Sequence, residues 1–151
     1  MMNAVKTFNK FNKLPMGNVL YSKLICFIAP YFSSIKPRLE VLEPGKCVVF
    51  MKKRRRVTNH LNTVHAIAMC NMAELAGGMM TDASVPKGAR WIPSGMEVKY
   101  LKKAKTHLTA TSDGSNIDWT NEGTIRVPVS IKDTEGNEVF SAEIDMNVKH
   151  A

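Results

Sequence analysis

The hydrophobic positions of the chain change period several times, and each change marks an element. From Gly17 to Tyr31 the apolar residues Val19, Leu20, Leu24, Phe27 and Ile28 fall at helical spacing, which predicts an amphipathic N-terminal helix over that span. After Pro37, the segment Arg38 to Glu43 alternates weakly, and Pro44-Gly45 supplies a turn. Lys46 to Val57 reads as one strand, with Val48, Val49, Phe50 and Met51 followed by the basic run Lys52 to Arg56. Thr58 to Met80 returns to helical texture, with Val64, Ile67, Ala68, Met72, Leu75, Ala76 and Met79 at three- and four-residue steps. Asn62 and Thr63 are suitable cap residues, and Gly77-Gly78 weakens the end of this helix. Met69, Ala73 and Met80 fill its remaining faces, so the helix is apolar nearly all round and something must wrap it.

The remainder is strand texture. Arg90 to Leu101, Thr106 to Thr111, Thr124 to Lys132 and Glu138 to Lys149 alternate, with a polar loop at 112–116 and a hairpin turn at Asp133 to Asn137. Consecutive strands with short links give an antiparallel sheet. One sheet curling round one apolar helix is the economical way to bury that helix. The order divides the chain into an N-terminal helical extension, residues 1–37, packed on a domain at 38–151.

Composition narrows the class. The 151 residues make one domain by length, with 44% hydrophobic and 23% charged side chains, an ordinary globular balance. Cys26, Cys47 and Cys70 are scattered and odd in number, which argues against a disulfide framework or structural zinc and for a reducing, cytoplasmic setting. The longest apolar stretch, Leu24 to Ala29, is far too short to cross a bilayer. The net charge of +8 is uneven: 18 basic and 5 acidic side chains lie in residues 1–105, against 3 and 8 in residues 106–151. No Asp or Glu occurs in the first 39 residues. A polyanionic partner is implied, whether nucleic acid, membrane surface or phosphorylated small molecule.

The candidate chemistry lies at residues 59–74. Glu74 falls on the apolar helix, with Asn71 close by, and Asn59, His60, Asn62 and His65 precede it. A buried carboxylate is costly, so Glu74 must reach a partner, reach water or carry a proton. A helix N-terminus offers free N–H groups and a positive dipole end, a seat for a developing oxyanion near Val64 to Ile67. His65 and Glu74 are nine residues apart, roughly 13.5 Å along a helix and about half a turn round it. One helix cannot bring both to one small substrate, so catalysis by this set requires two subunits.

The segment Asn59-His60-Leu61-Asn62-Thr63-Val64-His65-Ala66-Ile67-Ala68-Met69-Cys70-Asn71-Met72-Ala73-Glu74-Leu75-Ala76 resembles the central motif of hot-dog-fold acyl-CoA thioesterases. It is most similar to the phenylacetate-degradation type and its uncharacterised bacterial relatives. That pattern is an Asn, a His-Gly-Gly at the helix start, and an Asp or Glu nine residues after the His. The resemblance covers roughly residues 38–149 and implies an α+β hot-dog fold, an antiparallel sheet wrapped around a long central helix, here with the additional N-terminal helix.

The activity it implies is hydrolysis of an acyl-coenzyme A thioester in a homodimer, which could pair further into a tetramer. Asn59 would hold the thioester carbonyl or the attacking water, the Ala66 N–H would donate to the oxyanion, and His65 would shape the turn. Glu74 of the facing subunit would be general base or nucleophile. Ala66-Ile67 stands where the pattern has Gly-Gly, and Ile67 narrows the approach. The alternative is a non-catalytic protein that binds acyl-CoA or lipid.

Ser94 could orient the water, although a plain loop serine is the blander reading. Arg56, Lys102 and Lys103 offer a basic rim for the phosphates of coenzyme A, which enters as part of the substrate, with a merely solvated edge as the equal alternative; no separate cofactor is expected. On a strand the charges of Lys52 to Arg56 would split between two faces, and aromatics for base stacking are few, which weighs against nucleic acid. His60 and His65 are five apart with no acidic residue between them, so no metal site is read here.

Overall fold

The alternation in the last third of the chain builds one of the two longest pairings in the molecule. A computed structural model describing residues 3–151 pairs β5 (Gly123–Lys132) with β6 (Glu138–Lys149). Their inward residues Val127, Val129, Ile131, Ala142, Ile144 and Met146 are buried. The turn between them is held by the Asp133 carboxylate, whose Oδ1 accepts the Glu135 and Asn137 N–H groups, both at 2.9 Å. Gly136 takes φ +82° there, a conformation that favours glycine.

β1 (Arg38–Glu43), β2 (Lys46–Met51), β3 (Arg90–Tyr100) and β4 (Leu108–Asp113) complete one six-stranded sheet in the order β1-β2-β4-β5-β6-β3. Every pairing is antiparallel. The sheet curls round α3 (Ala66–Ser84), which packs on all six strands. Met72, Ala73, Leu75, Ala76 and Met80 of α3 are buried against them. This is the α+β hot-dog architecture that the apolar helix demanded.

Three boundaries differ from the expectations. Gly77 and Gly78 do not end the helix but lie buried inside it, which runs on to Ser84. A Cβ at Gly77 would stand 2.9 Å from Ile144 Cδ1 and one at Gly78 3.0 Å from Trp91 Cη2. Close approach of the sheet requires glycine there, and tertiary packing overrides a propensity cost of about 1 kcal/mol each. The strand expected over Lys46 to Val57 stops at Met51, and Arg55–Val57 form a 3-10 turn. The basic run is therefore a loop, and its charges do not alternate across a strand. The cap of α3 is His65 rather than Asn62 or Thr63.

The N-terminal extension holds more than one helix. α1 (Ala4–Phe11) precedes α2 (Gly17–Ile28), and Pro30–Ile35 form a 3-10 segment where the helix was expected to continue to Tyr31. Phe8 and Phe11 pack edge-on against Tyr21. The Tyr21 hydroxyl donates to the Ala4 carbonyl at 3.2 Å, and burial holds this phenol well above its ordinary pKa. The Leu39 N–H donates to Ser22 Oγ at 2.8 Å, so α2 partly satisfies the β1 edge of the sheet.

Candidate functional site

The start of α3 is held by two other stretches of chain. His65 N–H donates to Val57 O at 2.8 Å, and Val64 N–H donates to Ala104 O at 2.8 Å. The helix entry is thereby pinned between the 3-10 turn after β2 and the link before β4. The His65 side chain then caps the helix, with Nδ1 accepting the Ile67 N–H at 3.0 Å. This requires Nδ1 to be the unprotonated ring nitrogen. Met69 N–H reaches His65 O at 3.2 Å. Among the described residues, the Ala66 and Ala68 N–H groups have no acceptor in the protein, and they sit at the positive end of a 19-residue helix.

Asn59 is committed to its own loop. Its Oδ1 accepts the Leu61 and Thr63 N–H groups at 3.0 and 3.1 Å, and its Nδ2 donates to Thr63 Oγ1 at 2.9 Å. The side chain shapes the loop feeding the helix, with one amide hydrogen left over. The reversal of the chain here puts Asn62 at φ +55°.

A hollow of about 190 Å³ opens beside the helix start, between it and the 3-10 segment Pro30–Ile35. Its wall includes His65, Ile67, Ala68, Asn71, Arg56 and Tyr31. Asn71 is 7% exposed; its Nδ2 donates to Ser34 Oγ at 3.0 Å, while its buried Oδ1 has no donor. A buried amide oxygen without a partner costs about 1–3 kcal/mol, so a site that keeps one offers an acceptor to something else. A second, shallower hollow of about 650 Å³ adjoins it, walled by Lys53, Arg54, Arg55, Asn59, His60 and Asn62. Its three cations face no carboxylate within ion-pair distance.

Glu74 does not share either hollow. It is exposed, and with Ile67 (54% exposed) and Cys70 it forms the open strip of an otherwise enclosed helix. Of the three outcomes open to a carboxylate on an apolar helix, a partner, water or a proton, Glu74 reaches water, because the sheet leaves this strip bare. Beside the strip runs β3, paired on one edge only, with β6, and carrying Ile92, Met96 and Tyr100 exposed along it. The Tyr100 hydroxyl lies 3.8 Å from Cys70 Sγ, a contact that raises the phenol pKa. Cys47 is a core thiol pushed up to about 12 by burial.

The remaining expected residues lie at different distances from this centre. Arg56 lines the hollow. Lys102 and Lys103 flank the Ala104 link that pins the helix entry, but Lys102 Nζ reaches Asn137 Oδ1 at 3.3 Å on the neighbouring hairpin. Ser94 sits at a bulge of β3, where its hydroxyl donates to the Asp145 carbonyl at 3.2 Å, and it lines neither hollow. Tyr31 and Ser34 are the unanticipated members. They come from the extension, whose sequence carries no signal for a site more than thirty residues downstream.

A structure solved in a structural-genomics programme is 47% identical, covering 98% of this chain and 99% of its own, with a TM-score of 0.89. A Pseudomonas aeruginosa protein of unknown function, described as a probable thioesterase, is 19% identical over 91% of this chain and 97% of its own, TM-score 0.76. A Haemophilus influenzae thioesterase is 12% identical over 80% of this chain and 82% of its own, TM-score 0.71. At these lower identities the likeness establishes the hot-dog fold and nothing finer. No curated protein matches the sequence. Residues 17–148 match a family described as a domain of unknown function, DUF4442, so α2 and the hot-dog unit together make up the matched region. The chain belongs to the DUF4442 family.

Proposed function

We propose that the protein is a thioesterase acting on acyl-coenzyme A, with each site completed by a second copy of the chain. The observation that carries this reading is the unspent helix start: two N–H groups, of Ala66 and Ala68, at the positive end of α3 beside a hollow with a buried acceptor, Asn71 Oδ1. Glu74, the only carboxylate of the strip, lies two turns further along α3 and lines neither hollow. The bare apolar edge of β3 beside it is the kind of edge that isolated proteins avoid. A second copy covering that edge and the strip would present its Glu74 to this helix start.

Hydrolysis then divides among the chain's own groups. The Glu74 carboxylate takes a proton from water as the water oxygen attacks the thioester carbonyl carbon. The carbonyl oxygen gains negative charge and receives the Ala66 N–H, a donor whose loss typically costs 10²–10³ in rate. The tetrahedral species collapses, the carbon–sulfur bond breaks, and the thiol leaves with a proton returned from Glu74. Asn59 and His65 hold the helix entry rather than the substrate, while Arg56 and the Lys53–Arg55 hollow suit the phosphates of the leaving group.

Ile67 supports a second reading, acyl-CoA or lipid binding without turnover, because its exposed side chain stands at the mouth of the helix start. A panel of acyl-CoA substrates with a thiol-reporting dye separates the two. The enzyme reading expects turnover that collapses in Glu74→Ala with fold and dimer intact. Saturable binding with no thiol release would establish the second reading, and undiminished release in Glu74→Ala would remove the first.

A further inference from the structure

α2 is apolar on both sides, and only one side has a partner. Tyr21, Ser22 and Ile25 face the domain and are buried. Leu20, Leu24 and Phe27 lie at i, i+4 and i+7 on the opposite side; Leu20 is 42% and Phe27 85% exposed. Ile28, the last residue of α2, and Tyr31 beyond it continue the apolar surface at 60% and 71% exposure. Exposed side chains of this size gathered on one element mark an interaction surface rather than chance exposure.

The charge around this stripe is predominantly basic. Lys23 stands beside it on α2, and the first 39 residues hold six Lys or Arg with no Asp or Glu. Val19, Lys23 and Cys26, on the adjoining side of α2, form one wall of a groove of about 600 Å³. Lys36, Arg38, Lys52 and Arg54 stand along the groove with the Phe50 ring, over which the Arg38 guanidinium lies at 4.6 Å. Of these cations Arg38 pairs with Glu40. Arg54 binds the Ser34 carbonyl through Nη2, while its buried Nε has no acceptor among the described residues.

We propose that this face of α2, with the groove beside it, docks on an anionic lipid bilayer. The apolar stripe would enter the acyl boundary while the groove cations meet lipid phosphates, the division of labour of an interfacial helix. A second copy is the wrong occupant electrostatically. A twofold contact through this face would set lysines against lysines, with Glu40 as the nearest acid. The helix lies on the membrane and does not cross it: its 12 residues span roughly 18 Å. No helix among the described residues is long and apolar enough to cross.

The test is co-sedimentation of the full chain with vesicles of phosphatidylglycerol and phosphatidylcholine, and of phosphatidylcholine alone, at low salt. The expected result is pelleting with the anionic vesicles, reversed by raised salt and not by millimolar inorganic phosphate. The L20S/F27S double variant should bind at least tenfold more weakly, and K23Q and K36Q roughly fivefold each. Should the double variant fold poorly, F27S alone serves, since its ring is almost wholly in water. The proposal is overturned if wild-type protein stays in the supernatant, if phosphate alone displaces it, or if L20S/F27S pellets like wild type. It is equally overturned if F27S forms a smaller oligomer than wild type, which would assign the face to a second copy.

Discussion

Two apolar surfaces of this molecule are exposed in the protomer, and they are built from different material. One is a sheet edge: β3, with Ile92, Met96 and Tyr100 exposed and one row of backbone groups unpaired, beside the Glu74 strip of α3. The other is the outer stripe of α2, whose backbone is satisfied within the helix and whose surrounding charge is predominantly basic, with Glu40 beside Arg38. A bare edge asks for hydrogen-bonding partners, which a lipid surface cannot supply and another strand can. A helix stripe asks only for an apolar neighbour, and its lysines select an anionic one. The same quantity, exposed hydrophobic area, thus points to a protein in one place and a membrane in the other.

The sharpest break between the two surfaces is a polar substitution on each. Ile92→Glu with Met96→Glu should dissociate the protein to monomer and reduce thioester hydrolysis to background, because neither half of the site is then complete. Sedimentation velocity and the thiol-release assay read both outcomes. The stripe variant F27S should leave both unchanged and alter vesicle binding alone. If the β3 variant stays dimeric and active, the edge is not the subunit contact and the site does not need one.

Next in size is Glu74→Gln, which keeps the shape of the strip and removes the proton acceptor. A fall in kcat of about 10²–10⁴ with an unchanged sedimentation coefficient is expected. A fall confined to KM would reassign Glu74 to substrate binding.

A smaller effect separates site from scaffold at Asn71. Asn71→Leu removes a buried oxygen that has no donor, together with the Nδ2 hydrogen bond to Ser34 Oγ. These terms oppose each other, so thermal stability should hold within about 1 kcal/mol. KM for acyl-CoA should rise about tenfold, the value of one good hydrogen bond to substrate. Unchanged KM with a lower Tm would make Asn71 a scaffold residue only.

How far these features were legible in the sequence depends on the range of the forces that set them. The apolar all-round pattern of α3 is local, and it required a wrapping sheet before any coordinates. The strand stop at Met51 is not local: nothing in Lys52 to Arg56 breaks a strand, and the turn is held by Arg54 reaching the Ser34 carbonyl and by the Val57 carbonyl reaching His65. Which of its three outcomes Glu74 takes was hidden for the opposite reason. Periodicity shows which positions are apolar but not where a sheet of six strands runs out before closing. Tyr31 and Ser34 in the site, and the unpaired stripe of α2, arise from how the extension lies on the domain. The stripe's residues were visible as half of an amphipathic pattern, and its outward half was not distinguishable from its inward half.

The smallest expected effect tests whether the β3 edge is rigidly set. Trp91, at the start of β3, lies over Gly78, with its Nε1 donating to Asp82 Oδ1 at 3.1 Å. In Gly78→Ala the new methyl would meet Trp91 Cη2 at 3.0 Å, too close for an ordinary contact. Helix propensity favours the alanine by about 1 kcal/mol, while overpacking opposes it by about 1–3. A net loss of about 1 kcal/mol by urea titration is expected, with a modest weakening of the dimer because β3 is displaced at the same point. Vesicle binding should be untouched, since α2 does not contact this end of the sheet. Stabilisation by alanine would mean that the indole moves freely and that the edge is not braced by α3. The contrast between the two surfaces would then rest on charge rather than on geometry.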